Sequence, residues 1–233
     1  MSFDLFFYKK KDNRLSEADI AAYLTKHIIT PDGKFDKQWI YENQNTKVYF
    51  TVEWNSPDDE NEGVDDGYQD FVNTNFSFSI NYFRPNFFGL ETFPLIYQFI
   101  EALDLYVDDL QQKGGKDGPQ KYTEAELLAS WTASNEQVTQ GQHKQFNLEY
   151  LPPENSNYLW QYQYLRPVLE ARTKEDLYIP NLLVVKEKAT GVLYTVCAWT
   201  THIPLILPKV DLIFIMKKYK KLFSSVEEQG GSN

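Results

Sequence analysis

The chain has 233 residues, a formal net charge of −10, 42% hydrophobic and 16% aromatic content, enough for a real core in one large domain or two small ones. An acidic balance of this size lacks the basic footprint that nucleic acid demands, disfavours an anionic membrane surface and steers basic partners inward. A single cysteine, Cys197, excludes an internal disulfide, and no run approaches the roughly 18 apolar residues of a membrane span.

The first residues, Met1 to Lys10, carry an acid at position 4 and lack the basic start and cleavage site of a signal peptide, so a cytoplasmic location is expected. Phe3 to Tyr8 reads as a strand with Phe3, Leu5 and Phe7 on one side. Ser16, with Asp19 three residues on, opens a helix whose stripe is Ile20, Ala21, Leu24 and Ile28. The turn Thr30-Pro31-Asp32-Gly33 ends it. Trp39 to Trp54 then reads as a hairpin about Asn43-Gln44-Asn45, with Val48, Phe50, Val52 and Trp54 on one face.

Between Asp58 and Asp70 seven acids, Asp58, Asp59, Glu60, Glu62, Asp65, Asp66 and Asp70, occur without a base. A solvated loop is the simplest reading. Asp58, Glu60, Glu62 and Gly63 also occupy early positions of a calcium-loop register, but Gln69 stands where its bidentate Glu belongs. Phe71 to Phe83 resumes strand character, with Phe76, Phe78, Ile80 and Tyr82 in phase. After a connection at 84–89, a helix is expected from about Thr92 to Gln112, with Pro94 in its first turn.

The Gly-rich stretch 113–120 is the clearest break and sets a subdivision into 1–112 and 121–223, within a single domain over 1–223. Thr123 to Glu126 is a capping box, opening a helix that buries Leu127, Leu128 and Trp131. Asn157 to Leu169 mixes strand-like alternation with a helical pattern beginning at Pro167, and the helix is preferred. Leu182 to Lys188 and Val192 to Trp199 form a hairpin, and Val210 to Lys217 is the last strand. Leu182 to Val185 and Leu212 to Ile215 are apolar on both faces, as interior strands are. Residues 224–233 are expected to be a disordered tail.

Thr46 to Val52 matches Thr190 to Val196 in position and type, which fits either two similar halves or the shared chemistry of hairpins. The expected fold is α+β, a mainly antiparallel sheet with helices on one face. Its aromatics at alternating positions favour a sheet core over an aromatic sugar or partner surface.

Phosphate-binding, serine-hydrolase and zinc-protease motifs are all missing. Cys197, His202 and Asp211 share one strand-turn-strand segment and supply the residue types of a catalytic triad, though cysteine in an apolar strand is usually inert. A carboxylate pair for glycoside hydrolysis is the other enzymatic option, with no pair singled out. No catalytic residue, cofactor or metal is assigned.

Two segments, Tyr41-Glu42-Asn43-x-x-Thr46-x-Val48-Tyr49-Phe50 and Pro204-x-x-Leu207-Pro208-x-Val210-Asp211, resemble a loosely defined group of uncharacterised bacterial cytoplasmic proteins. Some of that group resemble immunity proteins of secreted-toxin systems. Where such hairpins carry Thr-Gly, this chain has Thr46-Lys47, and its second hairpin has Thr190-Gly191. The resemblance points to an immunity protein that blocks a cognate toxin. The net acidity, the acidic loop and the lack of a catalytic constellation favour a non-enzymatic binder of a basic domain through the seven acids, and the alternative is a hydrolase using Cys197 and His202 or carboxylates. A protein partner, no nucleic acid and no membrane are expected, and homo-oligomerisation is left open.

Overall fold

A computed structural model describes residues 1–13, 15–28, 34–56, 68–111, 118–142, 145–146, 149, 151–173, 177–200 and 203–216, with the backbone alone at positions 34 and 216. The fold is α+β, and contacts divide it into two units, Met1–Pro153 and Glu154–Asn233. The described part of the Gly-rich stretch lies inside the first unit, because Gln120 bridges back to Val107.

The first unit holds a six-stranded antiparallel sheet of β1 (Ser2–Lys10), β2 (Lys34–Phe35), β3 (Gln38–Glu42), β4 (Tyr49–Trp54), β5 (Phe71–Asn81) and β6 (Tyr106–Asp109), in the order β2-β3-β4-β5-β1-β6. Its helices are α1 (Glu17–His27), α2 (Phe87–Ala102) and α3 (Glu124–Gln142). Alternation sends Phe3, Leu5, Phe7, Phe50, Val52, Phe76, Phe78 and Ile80 to one face, where all are buried. The helices meet that same face. Phe93 of α2 packs edge-on against Phe3, Phe99 packs edge-on against Phe7, and Thr25 of α1 accepts a hydrogen bond from the Trp39 indole.

Trp131 of α3 is the largest fully buried side chain. Its ring lies edge-on to Phe3 at 5.8 Å and stacks on Tyr82 at 5.9 Å, and its N–H donates to the Asn86 carbonyl at 3.0 Å. Gly89 makes room for it: a Cβ there would lie 2.3 Å from Trp131 Cδ1. Nearby, Asn135 donates to the carbonyls of Tyr82 and Arg84, and Ser130 donates to the buried Asp109 carboxylate at 2.5 Å. α3 is thus tied to the end of β5 and to β6.

α2 differs from expectation at both ends. It begins at Phe87, so Pro94 lies inside the helix rather than in its first turn. It stops at Ala102, where Asp104 adopts φ +50° and Leu105 N–H reaches back to Ile100 while Asp104 N–H reaches Glu101. That is a Schellman ending, with Ile100 and Leu105 both fully buried. Lys9, buried, donates to the Leu103 and Asp104 carbonyls and to Asp104 Oδ2, placing a cation at the negative end of the helix. Hydrogen bonds from Lys121 and Lys9 hold the Asp104 carboxyl down at about 2. Directly after this stop the chain forms β6, a strand the sequence pattern had absorbed into the helix.

The second unit contains α4 (Pro153–Arg172) and a three-stranded sheet of β7 (Leu182–Lys186), β8 (Leu193–Thr200) and β9 (Leu212–Met216). α4 starts at Pro153, in keeping with the tolerance for proline in a first turn, and carries Pro167 inside rather than at its start. Tyr162, Ile179, Leu182 and Cys197 form the core, flanked by Tyr158, Leu159, Leu169, Ile206 and Val210. β7 and β8 are antiparallel, but β9 is parallel to β8. β7 and β9 are edges, not the expected interior strands, and Leu183, Val184 and all of Leu212 to Ile215 are exposed.

The two hairpins share one turn. Asn43 N–H bonds Val48 O and Lys47 N–H bonds Asn43 O; Glu187 N–H bonds Val192 O and Gly191 N–H bonds Glu187 O. In each, the threonine hydroxyl accepts from the following valine N–H, and the intervening residue is left-handed, Lys47 at φ +61° and Gly191 at φ +75°. The sequence echo therefore has a local cause, a turn that needs a left-handed residue after threonine.

Two stability outcomes follow from these geometries. Gly89→Ala should lose roughly 1–3 kcal/mol in denaturant unfolding, because a new Cβ must displace the Trp131 indole. Lys47→Gly should gain about 0.5–1 kcal/mol, whereas Gly191→Ala should lose about 1 kcal/mol. Equal effects of the last two substitutions would contradict the shared turn.

Candidate functional site

Six of the seven candidate partner-binding acids, Asp58, Asp59, Glu60, Glu62, Asp65 and Asp66, lie outside the described residues, as does the proposed calcium register. Asp70 is described, exposed, and its carbonyl accepts from Lys11 N–H. The described residues on either side of the segment are held in the sheet. At the first, Lys37 Nζ lies 3.5 Å from the centre of the Trp54 ring, while Asn55 donates from its side chain to Ser77 Oγ and from its backbone to Asn75 O. Opposite Phe7, β5 carries a bulge: Phe6 pairs with Ser77 but Tyr8 with Asn73, so Thr74, Asn75 and Phe76 face one residue. Asn75 sits there at φ +61°, with its N–H on the Asn73 side chain. The bulge turns the Asn75 carbonyl into the acceptor that anchors Asn55.

At the second end, Tyr68 packs edge-on against Tyr8 at 5.4 Å and donates to Asp108 Oδ2 at 3.1 Å. Gly118, at φ +102°, lets the ring approach, since a Cβ would stand 2.8 Å from it. Ser77 and Asp108 both belong to the sheet face opposite the helices. Register places Gln38, Glu53, Ser77, Phe6 and Asp108 in one row of that face, and Ile40, Thr51, Ser79 and Asp4 in the next. Every charged residue in those two rows is a carboxylate: Glu53, Asp108 and Asp4. Both described flanks of the acidic stretch thus bond to this face, whose next row, Tyr8 with Tyr106, has the Lys10 and Lys121 ammoniums over the Tyr106 ring.

The residues that carried the family resemblance have structural work. Tyr41 hydroxyl and Asn43 Nδ2 both donate to Glu91 Oε1, at 2.8 and 2.7 Å, and Glu91 is buried. This network holds the hairpin turn on α2. No local sequence pattern links positions 41 and 43 to position 91, which explains why it was not foreseen.

Of the triad candidates Cys197, His202 and Asp211, only Cys197 and Asp211 are described. His202 lies outside the described residues, and Cys197 is fully buried with its thiol pushed up by burial, the reverse of an activated thiolate. Asp211 accepts from Thr195 Oγ at 2.6 Å and Thr195 N–H at 2.7 Å, and these bonds hold its carboxyl below the usual range. Its place is that of a clamp between the start of β9 and β8. Among the described residues, no group of three or more His, Cys, Asp or Glu could hold a metal ion, and no helix is long and apolar enough to cross a membrane.

No protein-family model, curated protein or solved structure matches the chain.

The burial of Cys197 has a direct readout. In the native chain it should react with a neutral thiol reagent at least about 100-fold more slowly than a free thiol, reaching the ordinary rate only in denaturant. Fast native-state labelling would place an accessible thiolate in this strand and revive the nucleophile.

Proposed function

We propose that the protein is a cytoplasmic, non-enzymatic binding protein, and specifically an immunity protein that neutralises a cognate bacterial toxin domain of basic character. The observation that carries this reading is the acidic stretch 58–70, whose flanking Asn55 and Tyr68 bond to a sheet face on which the charged residues of two rows are all carboxylates. Seven acids without a base form a run of one sign, and such a run raises the encounter rate with a basic partner more than it tightens the final complex. The net charge of −10 extends the same field over the whole chain.

The hydrolase reading draws no comparable support. A nucleophile gains from a lowered pKa and a neighbouring base, whereas burial moves Cys197 the other way and Thr195 occupies Asp211.

Pull-down of the tagged chain from its native host should recover a partner in fixed stoichiometry. Against that partner, replacing Asp58, Asp59, Glu60 and Glu62 by their amides should slow association about tenfold or more at low salt and flatten its salt dependence, with little change in dissociation. Unchanged association kinetics would remove the acidic stretch from the interface.

A further inference from the structure

The two sheets treat their edges differently. In the first unit, β2 is only two residues long, and β6 is short, carries Asp108 and Asp109, and has its outer side bridged by Gln120, whose N–H and C=O both bond Val107. Short, charged or covered edges are the usual defences against strand-to-strand association. β9 carries no charge, and among the described residues nothing covers its outer side. It runs Leu-Ile-Phe-Ile-Met without charge, proline or bulge, and pairs on one side only, with β8, among the described residues. Leu212, Ile213, Phe214 and Ile215 are 39–53% exposed, so apolar surface is open on both faces of the strand.

The order of residues points to what covers this edge. β9 reads nearly the same in both directions about Phe214: isoleucine on each side, then leucine and methionine. We propose that β9 pairs antiparallel with the β9 of a second copy of this chain, around a two-fold axis through Phe214. In that register Phe214 meets its own symmetry mate, Ile213 meets Ile215, and Leu212 meets Met216. Directly opposed residues of an antiparallel pair share a face, so each apolar side chain finds an apolar neighbour and the two sheets join into one of six strands. A hydrophobic edge from the same chain satisfies the open backbone groups and both faces together, which makes the interface isologous.

The size of the contact sets its strength. Side chains half exposed along one five-residue strand bury on the order of 500 Å² per copy, below the ~800 Å² of a standard interface, so the dissociation constant should fall in the micromolar range. The charge of −10 on each copy opposes association, and added salt should strengthen it.

Sedimentation velocity of the full chain over about 1–200 μM is the test. A monomer–dimer equilibrium is expected, weakened at least tenfold by Phe214→Lys and unaffected by Val72→Lys, which changes an equally exposed valine in the first unit. Should Phe214→Lys unfold the second unit, Phe214→Cys decides: mild oxidation should yield a disulfide-linked dimer, since Cys197 is buried and does not compete. A chain that stays monomeric throughout the range, a dimer indifferent to Phe214→Lys in a natively melting protein, or no cross-link from Phe214→Cys would each overturn the proposal.

Discussion

The first unit depends on one close approach. Trp131 reaches β1 only because Gly89 offers no side chain where the indole passes between α2 and α3. From that slot the ring touches Phe3, stacks on Tyr82 and bonds the Asn86 carbonyl, so one side chain registers two helices against β1 and the end of β5. Aromatic pairs of this kind contribute about 0.5–1.5 kcal/mol each beyond burial. Their geometry matters more here than their sum, because it fixes which turn of α3 faces the sheet. With α3 fixed, Ser130 meets Asp109 and Asn135 meets the carbonyls that leave β5.

Much of this was legible in the residue pattern. The alternation Phe3-Leu5-Phe7 and Phe76-Phe78-Ile80 marks the inner face, and Ser16 with Asp19 does form a reciprocal capping box. What the pattern could not carry were decisions made by distant groups. Leu103 and Tyr106 continue the apolar spacing of α2, yet the helix ends at Ala102, because Asp104 turns left-handed and Lys9, from the far end of the sequence, caps the carbonyls. Strand direction was equally hidden. Leu212 to Ile215 looks like an interior strand by composition, and only the connection through Tyr178 and Pro204 to Ile206 and the Asp211–Thr195 clamp settles that it lies parallel to β8 at an edge.

The candidate binding surface shows the same division. Its charge is plain in the sequence, since seven acids without a base need no structure to be noticed. The placement of its flanks is not, because they are held by a tyrosine, an asparagine and a glycine whose partners lie 22 to 50 positions away: Asn55 with Ser77, Tyr68 with Asp108 and Gly118. Polar anchors of this sort follow no period, and the bulge at Asn75 that supplies one of the acceptors leaves only a polar Asn-Thr-Asn run in an otherwise alternating strand. The motif that suggested a family turns out to serve the fold, with Tyr41 and Asn43 holding a buried Glu91.

The position of β1 bears on how the chain is made. It emerges before every other element, yet its place is in the interior of the sheet, with Ser2 opposite Asn81 and Leu5 opposite both Phe78 and Asp109. During synthesis this apolar strand has no permanent neighbour until β5 has left the ribosome, and its other flank stays open until β6 follows. Long-range pairing of this kind slows folding and prolongs the exposure of sticky surface. Ordering of the sheet around β1 therefore waits on β5 and β6, which follow much later in the chain.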